Sequence, residues 1–452
     1  MKASLLRLYR QEMRSTVLLS YPIVIAQLGG VLMNVAANMM VGRLGAASIA
    51  SVGIANSIYI LVAVVGMGTL AVLAPQVATA RGRNDLDECR GLLRTALRLS
   101  LGMGVVLAAI LLALAAVFEV FGQEPEVTRL ARNFLSITAV STVPTMVFMG
   151  LKYYTDGLSH TRVAMVITLT GLALDLFMNW TLIYGNLGFP ALGVTGAGLA
   201  VFITRLYMAA AMFGYLRTSS LFRTYWQPFT GAIRPLLSRV VRLGLPGGFQ
   251  YFFEVGAFSG SAVMAGWMGT AQLAAHEIAI SLAALAYMVA SGNAAAGSIR
   301  VGEALGKASR AAVVRAGTAA ILIAVGFMSL TCLLFITANG PLVGLYIQDN
   351  RVLPIATSLL VIAGIFQLSD GVQVAGLGIL RALSDVNVPT VATLFAYWII
   401  GIPLGYWLAF HLGMGVQGIW YGLLAGLTAS AALLTVRFYV LSRRISFSIE
   451  NG

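Results

Sequence analysis

Four acidic residues lie inside long apolar stretches of the sequence, where a charge is costly: Asp175, Glu254, Glu277 and Asp370. Glu254 follows Arg242 by 12 residues, and Asp370 precedes Arg381 by 11. At about 1.5 Å per residue of helix, each of these two carboxylates is about 16–18 Å from the charged end of its stretch. A carboxylate at that depth is unfavourable unless it binds a proton or a cation or pairs with a base. No Lys or Arg of the same half is expected there, so the pair predicts a cation-binding site, with hydrogen-bonded structural carboxyls as the alternative.

The other two carboxylates are read differently. Asp175 follows Arg162 by 13 residues, about 20 Å, and Arg205 lies about 13 Å from the outer end of the next stretch. A structural ion pair between Asp175 and Arg205 and a second proton-binding site at Asp175 are both open. Glu277 stands beside His276 near the start of its stretch, where a structural or gating role is favoured over a coupling role.

These residues require helices that cross a lipid bilayer. Of the 452 residues, 59% are hydrophobic and 10% charged, and the mean hydropathy is +0.88, which is too apolar for a water-soluble domain. Apolar runs of about 20 residues, the length that spans a bilayer, recur from end to end. We predict twelve spans, near residues 16–42, 48–77, 92–120, 129–152, 162–184, 195–216, 238–268, 272–299, 312–337, 353–380, 388–410 and 416–441.

The net charge of +13 is explained by where the basic residues lie. With the N-terminus inside, all 29 Lys and Arg fall in cytoplasmic segments except Arg43, Arg129, Arg132 and Arg351 outside and Arg205 in mid-span. This is the positive-inside pattern of membrane proteins, so nucleic acid is not needed as a partner. Both termini are predicted to be cytoplasmic, and the first apolar run is read as a span rather than a cleaved leader.

The two halves of the sequence are predicted to be a duplication. At an offset of 224 residues, Pro22 pairs with Pro246 and Arg83 with Lys307. Near the ends of the halves the register slips by two, so that Gly193, Val194 and Gly196 pair with Gly415, Val416 and Gly418. Six spans per repeat is an even number, so the halves enter the membrane in the same direction and are expected to be related by a pseudo-two-fold axis along the membrane normal.

The predicted fold is therefore an all-α integral membrane protein of twelve transmembrane helices in two six-helix bundles. Residues 1–216 and 238–452 are the predicted bundles, and residues 217–237 are a predicted cytoplasmic linker on the inner leaflet. A cleft between two bundles that opens to one side at a time is what alternating access requires.

Seven short motifs follow one another along the chain in a characteristic order. They are Val41-Gly-Arg-Leu-Gly45, Asp156-Gly-Leu-Ser159, Asn179-Trp-Thr-Leu-Ile-Tyr-Gly185, Phe252-Phe-Glu-Val255, Ala274-Ala-His-Glu-Ile278, Ser298-Ile-Arg-Val-Gly302 and Ser369-Asp-Gly-Val-Gln373. In these motifs the chain resembles the multidrug and toxic compound extrusion family, and in particular its NorM-like bacterial branch. The likeness covers nearly the whole sequence.

The resemblance implies a multi-pass exporter of the bacterial inner membrane that expels amphipathic, often cationic drugs or metabolites in exchange for Na+ or H+. It implies that Glu254 and Asp370 are the cation-binding carboxylates, with Na+ as a candidate metal ion. Phe366 stands where relatives often carry a tyrosine beside the cation, and its ring face can still attract one.

The resemblance also shows a departure in the first span, where the family usually has an aspartate and this chain has Ala37. Asp175 and Asn179 match two polar positions of the fifth span that are more often both asparagine. The hypothesis that follows is that a carboxylate has moved from span one to span five.

Other functions fit the residues less well. A flippase of lipid-linked saccharides needs a basic cavity to receive phosphates, and only Arg205 is expected inside the membrane. A membrane-embedded enzyme needs convergent His, Asp, Cys or Ser groups, and His160, His276 and His411 are expected in separate loops or interfaces. A channel built on rings of charge is disfavoured because the carboxylate pair lies in one half only. We expect no enzyme activity, no cofactor, a monomer, and partners limited to small amphipathic substrates and membrane lipids.

Overall fold

The computed structural model describes residues 2–444, which form helices joined by short turns and contain no strand. The helices are α1 (Lys2–Gly42), α2 (Ala46–Leu70), α3 (Leu73–Gly82), α4 (Leu86–Ala116), α5 (Pro125–Gly157), α6 (Thr161–Tyr184), α7 (Gly193–Thr218), α8 (Ile233–Trp267), α9 (Thr270–Gly306), α10 (Arg310–Thr337), α11 (Asn339–Gly344), α12 (Leu353–Ala382), α13 (Asn387–Leu394), α14 (Ile402–Tyr406) and α15 (Val416–Arg444). Two π-helical segments, Phe395–Gly401 and Trp407–His411, flank α14 and continue its axis.

Within residues 2–444, eleven helical segments are long and apolar enough to cross a bilayer. α2 and α3 act as one such segment, Ala46–Gly82, and α13, α14 and the π-helical turns form another, Asn387–His411. The predicted seventh span corresponds to α8, which has 35 residues but is not among the eleven. The chain is therefore a multi-pass, all-helical membrane protein.

Helix α5 is longer than the span predicted at its position and buries an ion pair that the sequence analysis did not place there. The Lys152 Nζ donates to the Asp156 Oδ2 at 2.8 Å, and both side chains are buried. Residues four apart face the same side of a helix, so the two charges neutralise each other without help from another element.

The contacts between helices divide the chain into two compact units. Residues 25–248 form the N unit, and the described residues of the ranges 1–24 and 249–452 form the C unit. The boundaries fall inside α1 and α8, two residues after Pro22 and Pro246. Membership of a compact unit is a different property from membership of a six-helix bundle, so the bundle boundaries at 216 and 238 stay a prediction.

Each unit is organised around one central helix. In the N unit α5 packs against α2, α4 and α7, with Tyr154 fully buried. In the C unit α12 packs against α9, α10 and α15, with Trp420 fully buried. α12 carries Asp370, which places that carboxylate on the central helix of its unit.

The backbone repeats the duplication predicted from sequence. Gly45 precedes α2 with φ +114°, and Gly269 precedes α9 with φ +117°. The two residues in the left-handed region before α4 and α10, Asn84 and Ala308, have φ of 59° and 52°. Side chains at equivalent positions then cap these helices, since Asp85 accepts from the Glu88 amide and Ser309 from the Ala312 amide.

The backbone also agrees with the two-residue shift in register that the sequence predicts near the ends of the halves. Gly193 and Gly415 have positive φ values of 54° and 61°. Three residues later, Gly196 lies directly against the backbone of Leu182, and Gly418 against the backbone of Leu408 and Ala409. A side chain at either glycine would collide with that backbone, so both positions allow two neighbouring helices to pack closely.

Candidate functional site

A cavity of about 350 Å³ opens among α8, α9 and α12 inside the C unit. Its lining is mostly aliphatic and aromatic, with two buried carboxylates and one exposed carboxylate among the apolar groups. The lining residues are Tyr251, Glu254, Val255, Phe258, Ser259, Ala262, His276, Glu277, Ile280, Ala283, Ala284, Tyr287, Phe366 and Asp370. The cavity thus brings together Glu254, Phe366 and Asp370, which come from two separate helices.

Glu254 and Asp370 are buried without a basic partner. Their residues are 4% and 3% exposed. The Oε2 of Glu254 has no hydrogen-bond partner among the described residues. Within the same residues, no Lys or Arg nitrogen lies within 4.0 Å of either carboxylate. Unpaired carboxylate oxygens facing a cavity are well suited to bind a cation or a proton, because either one offsets the cost of the buried charge.

Phe366 lies one helical turn before Asp370 and is fixed by aromatic neighbours. Its ring meets that of Phe258 edge to face, with centroids 6.1 Å apart, and that of Trp420 at 5.6 Å. Phe258 in turn packs against Tyr397 at 5.9 Å. These contacts hold aromatic faces along the cavity wall, where they can attract an organic cation.

His276 lines the same cavity in a neutral form. The indole N–H of Trp420 donates to His276 Nδ1 at 3.2 Å. Because an indole nitrogen only donates, Nδ1 must accept and the ring proton must sit on Nε2. The cavity's charge therefore comes from carboxylates. Glu277, next to His276, is exposed and stands at the open edge of the cavity, whereas Glu254 and Asp370 are enclosed.

Asp175 and Asn179 form a second buried polar group, on α6 of the N unit. The Asn179 Nδ2 donates to the Asp175 carbonyl oxygen at 2.9 Å and to its Oδ2 at 3.0 Å. The Asn179 Oδ1 has no partner among the described residues. An amide held against a carboxylate orients it without neutralising its charge.

Arg205 is engaged by other residues of the N unit. Its Nη1 donates to the Ser141 Oγ at 2.7 Å, and its guanidinium carbon lies 4.5 Å from the centre of the Tyr59 ring. In the part of the chain that the structure describes, Arg205 has no carboxylate within 4.0 Å. A direct Asp175–Arg205 ion pair is therefore not formed in this structure.

The contacts between α1 and α6 are relevant to the hypothesis that a carboxylate has moved from Ala37 to Asp175. Met33 of α1 packs against Gly171 of α6, and further along the same two helices the Tyr184 hydroxyl donates to the Met40 carbonyl at 2.8 Å. Ala37 lies between the two α1 contacts, and Asp175 lies between the two α6 contacts. Both positions therefore lie in the stretch over which α1 and α6 contact each other, and the moved carboxylate stays a hypothesis.

Among the aromatic residues of the cavity, Phe366 was predicted from the sequence, whereas Tyr251 and Tyr287 were not. Tyr251 and Tyr287 lie on apolar helices, where aromatic residues are most often packing residues. The available signal was the spacing of Tyr251 and Glu254, three residues apart on one helix face. The hydrogen bond between His276 and Trp420 joins residues 144 apart, and no local pattern predicts it.

An internal repeat of membrane-spanning helices, with carboxylates buried among apolar helices, is typical of secondary membrane transporters. The fold and the site place this chain in that class. Comparison with known proteins gives the family. The MatE family model matches residues 22–181 and 246–407. These ranges begin at Pro22 and Pro246, the pair that the predicted duplication places in register. The chain belongs to the MatE family and is a transporter rather than an enzyme.

Individual relatives cover almost all of the sequence. The probable multidrug resistance protein NorM of Rhizobium meliloti is 36% identical over 96% of this chain and 94% of its own length. The protein of the same name from Burkholderia mallei is 34% identical over 94% and 92%. The solved structure of the eukaryotic MATE transporter AtDTX14 matches with a TM-score of 0.88 at 18% identity, over 96% of this chain and 98% of that one. The flippase and the enzyme considered as alternatives gain no support from these relatives.

Proposed function

We propose that this protein is a secondary active exporter that expels amphipathic, often cationic small molecules in exchange for Na+ or H+ by alternating access. The energy comes from the ion gradient, and no bound cofactor takes part. The name shared by the NorM relatives supports multidrug export as the activity.

The observation that carries the proposal is the cavity with two buried carboxylates, Glu254 and Asp370, neither of which has a Lys or Arg nitrogen within 4.0 Å among the described residues. A coupling ion is stabilised there because it neutralises this charge. A cationic substrate is stabilised by the same carboxylates and by the ring faces of Phe258 and Phe366. Since both ligands relieve the same unfavourable charge, binding of one weakens binding of the other, which is the requirement for exchange.

Carboxylate oxygens suit both candidate ions. A proton needs one oxygen, whereas Na+ needs several oxygen ligands. Phe366 supplies none, so Na+ would be held by Glu254, Asp370 and further oxygens of the cavity wall. Asp175, with Asn179 as its orienting partner, is proposed as a second proton-binding site in the N unit.

The location is proposed from the relatives and the topology from the distribution of charge. The NorM relatives are bacterial, which supports an inner membrane, and the positions of the Lys and Arg residues favour two cytoplasmic termini. We also propose a monomer in contact with membrane lipids.

The experiment is transport in liposomes containing the purified protein and a fluorescent lipophilic cation. A Na+ gradient at constant pH and a pH gradient without Na+ are imposed separately. We expect the dye to move against its own gradient under at least one of these conditions. Movement under neither condition would contradict the proposal.

Single substitutions in the cavity, compared with one outside it, test whether Glu254 and Asp370 form the site. Glu254→Gln and Asp370→Asn should each abolish gradient-driven dye movement while melting near the wild-type temperature, since the amides keep the shape and remove the charge. Glu126→Gln, an exposed carboxylate outside the cavity, should transport like the wild type. Normal transport by either cavity variant would remove that residue from the site.

A further inference from the structure

The segment that follows α7 is hydrogen-bonded to α4 and α7 within the N unit. Trp226 donates its indole N–H to the Leu216 carbonyl at 2.6 Å, near the end of α7. Two arginines of α4 bind the same segment, because Arg90 Nε donates to the Thr224 carbonyl at 3.1 Å and Arg94 Nη2 to the Gln227 carbonyl at 2.7 Å. These three contacts fix the backbone of residues 224–227 without using the side chains of Arg217 or Arg223.

Arg217 and Arg223 line a cavity of about 530 Å³ together with Thr218, Trp226 and Gln227. The Arg217 guanidinium carbon lies 5.1 Å from the centre of the Trp226 ring, which is a cation–π contact. Both arginines are exposed. Among the described residues neither has a carboxylate within 4.0 Å.

Asp87 of α4 contacts this segment but interacts with residues other than Arg217 and Arg223. Asp87 accepts from the Thr230 hydroxyl at 2.9 Å and lies 3.7 Å from Arg90. The two positive charges of the cavity therefore stay uncompensated by the segment itself. Two guanidinium groups facing one polar cavity favour a ligand with phosphate oxygens, which accept paired N–H bonds.

The surroundings of the cavity are apolar and exposed. Phe213 and Tyr215 on the last turns of α7 are 43% and 38% exposed, and Leu221 is 58% exposed. α7 is one of the helices long and apolar enough to span a bilayer. Its end, with an aromatic residue and paired arginines, has the composition of a membrane interface. A ligand at this place would meet phosphate-binding groups and acyl-chain-binding groups side by side.

We propose that the cavity at Arg217, Arg223 and Trp226 binds the phosphate headgroup of an anionic phospholipid, with its acyl chains along Phe213 and Leu221. The two guanidinium groups bind the phosphate, and the Trp226 ring forms the interfacial wall. A lipid bound here ties the segment between the two halves of the sequence to the membrane surface.

The test is lipid binding by the purified full chain in detergent, measured by native mass spectrometry and by thermal melting. Phosphatidylglycerol should bind and raise the melting temperature more than phosphatidylcholine does. In Arg217→Gln/Arg223→Gln the affinity for phosphatidylglycerol should fall by about fivefold for each arginine, the effect expected for one basic residue near an anionic lipid surface.

The control is Arg234→Gln/Arg242→Gln, which removes the same charge from two exposed arginines that do not line the cavity. It should keep the preference for phosphatidylglycerol. An equal loss in this control would show a diffuse charge effect and overturn the site, as would full retention in the cavity variant. Inorganic phosphate is the third arm: if it reproduces the stabilisation, the site binds free phosphate and the lipid assignment is wrong.

Folding of the variant is checked separately. Arg223 makes no side-chain hydrogen bond among the described residues, so Arg223→Gln alone should melt like the wild type in the absence of lipid. It should still lose about fivefold in affinity for phosphatidylglycerol, by the same charge argument. An unchanged affinity would overturn the role of this arginine.

Discussion

Glu277 is the one exposed carboxylate of the cavity that contains Glu254 and Asp370. A charge at the open edge raises the local concentration of cations, and the attraction between two unit charges about 4 Å apart in water is worth about 1 kcal/mol. We expect Glu277→Gln to raise the ion concentration for half-maximal transport by about fivefold, with the maximal rate nearly unchanged. The measurement is dye export at a series of Na+ concentrations or pH values. Complete loss of transport, as expected for Glu254→Gln, would contradict a role at the edge.

Asp175 and Arg205 use different partners, and this gives a stability prediction. Arg205 binds Ser141 and Tyr59, whereas Asp175 binds Asn179. A thermal-melt cycle of Asp175→Asn and Arg205→Gln should therefore be close to additive, with a coupling energy of no more than about 0.5 kcal/mol. Coupling of about 3 kcal/mol or more would show a buried ion pair and would contradict Asp175 as a proton site. Loss of pH-driven transport in Asp175→Asn with an additive cycle is the expected combination.

Sequence reasoning located Glu254 and Asp370 by depth, because counting residues along a helix gives distance from its end. It left open what Arg205 binds, because depth does not fix the rotation of a helix about its axis. The Ser141 hydroxyl and the Tyr59 ring belong to two other helices, so the choice between them and Asp175 depends on tertiary packing. The same limit hid the contact between His276 and Trp420.

At the scale of helices, the duplication was predictable and its backbone detail was not. Prolines and basic residues in one register predicted equivalent helices, and Pro22 and Pro246 do lie inside α1 and α8. The π-helical turns around α14 have no counterpart in α6, whose residues Thr161–Tyr184 are α-helical throughout. The spacing of apolar residues does not distinguish an α-helical from a π-helical turn, because the two are defined by which backbone groups are hydrogen-bonded.

Gly45 and Gly269 provide a stability test of the duplication. Their φ and ψ angles, +114° and 173° for the first and +117° and 169° for the second, are accessible almost only to glycine. No atom lies within 4 Å of a Cβ at either position, so alanine would be strained only by its backbone. We expect Gly45→Ala and Gly269→Ala to destabilise the protein by similar amounts, about 1–3 kcal/mol each.

The controls are glycines inside helices, one in each unit. Gly30 and Gly326 also have nothing within 4 Å of a Cβ, but their backbones are helical. Gly30→Ala and Gly326→Ala should be neutral or stabilise by up to about 1 kcal/mol. A neutral result at Gly45 or Gly269, measured by thermal melting, would mean that the two turns do not share the strained conformation.

At the scale of the whole molecule, the membrane topology is set by the asymmetry of Lys and Arg. In a Cys89→Ser/Cys332→Ser background, we expect Ser219→Cys to resist an impermeant thiol reagent in intact cells and to react after permeabilisation. Arg351→Cys, in an exposed loop predicted to lie outside, should react in intact cells. The reverse labelling pattern would show that the topology is inverted.

The central claim is that Glu254 and Asp370 exchange a coupling cation for a substrate, and cation counterflow tests it most directly. Liposomes with purified protein receive a steep gradient of a lipophilic cation and no ion gradient, and the movement of radioactive Na+ and of protons is followed. We predict that the substrate gradient drives one of the two ions uphill in the opposite direction, and that Glu254→Gln and Asp370→Asn abolish this counterflow while Glu126→Gln keeps it. Substrate movement without counterflow of either ion in the wild type, or counterflow that persists in the cavity variants, would contradict the claim.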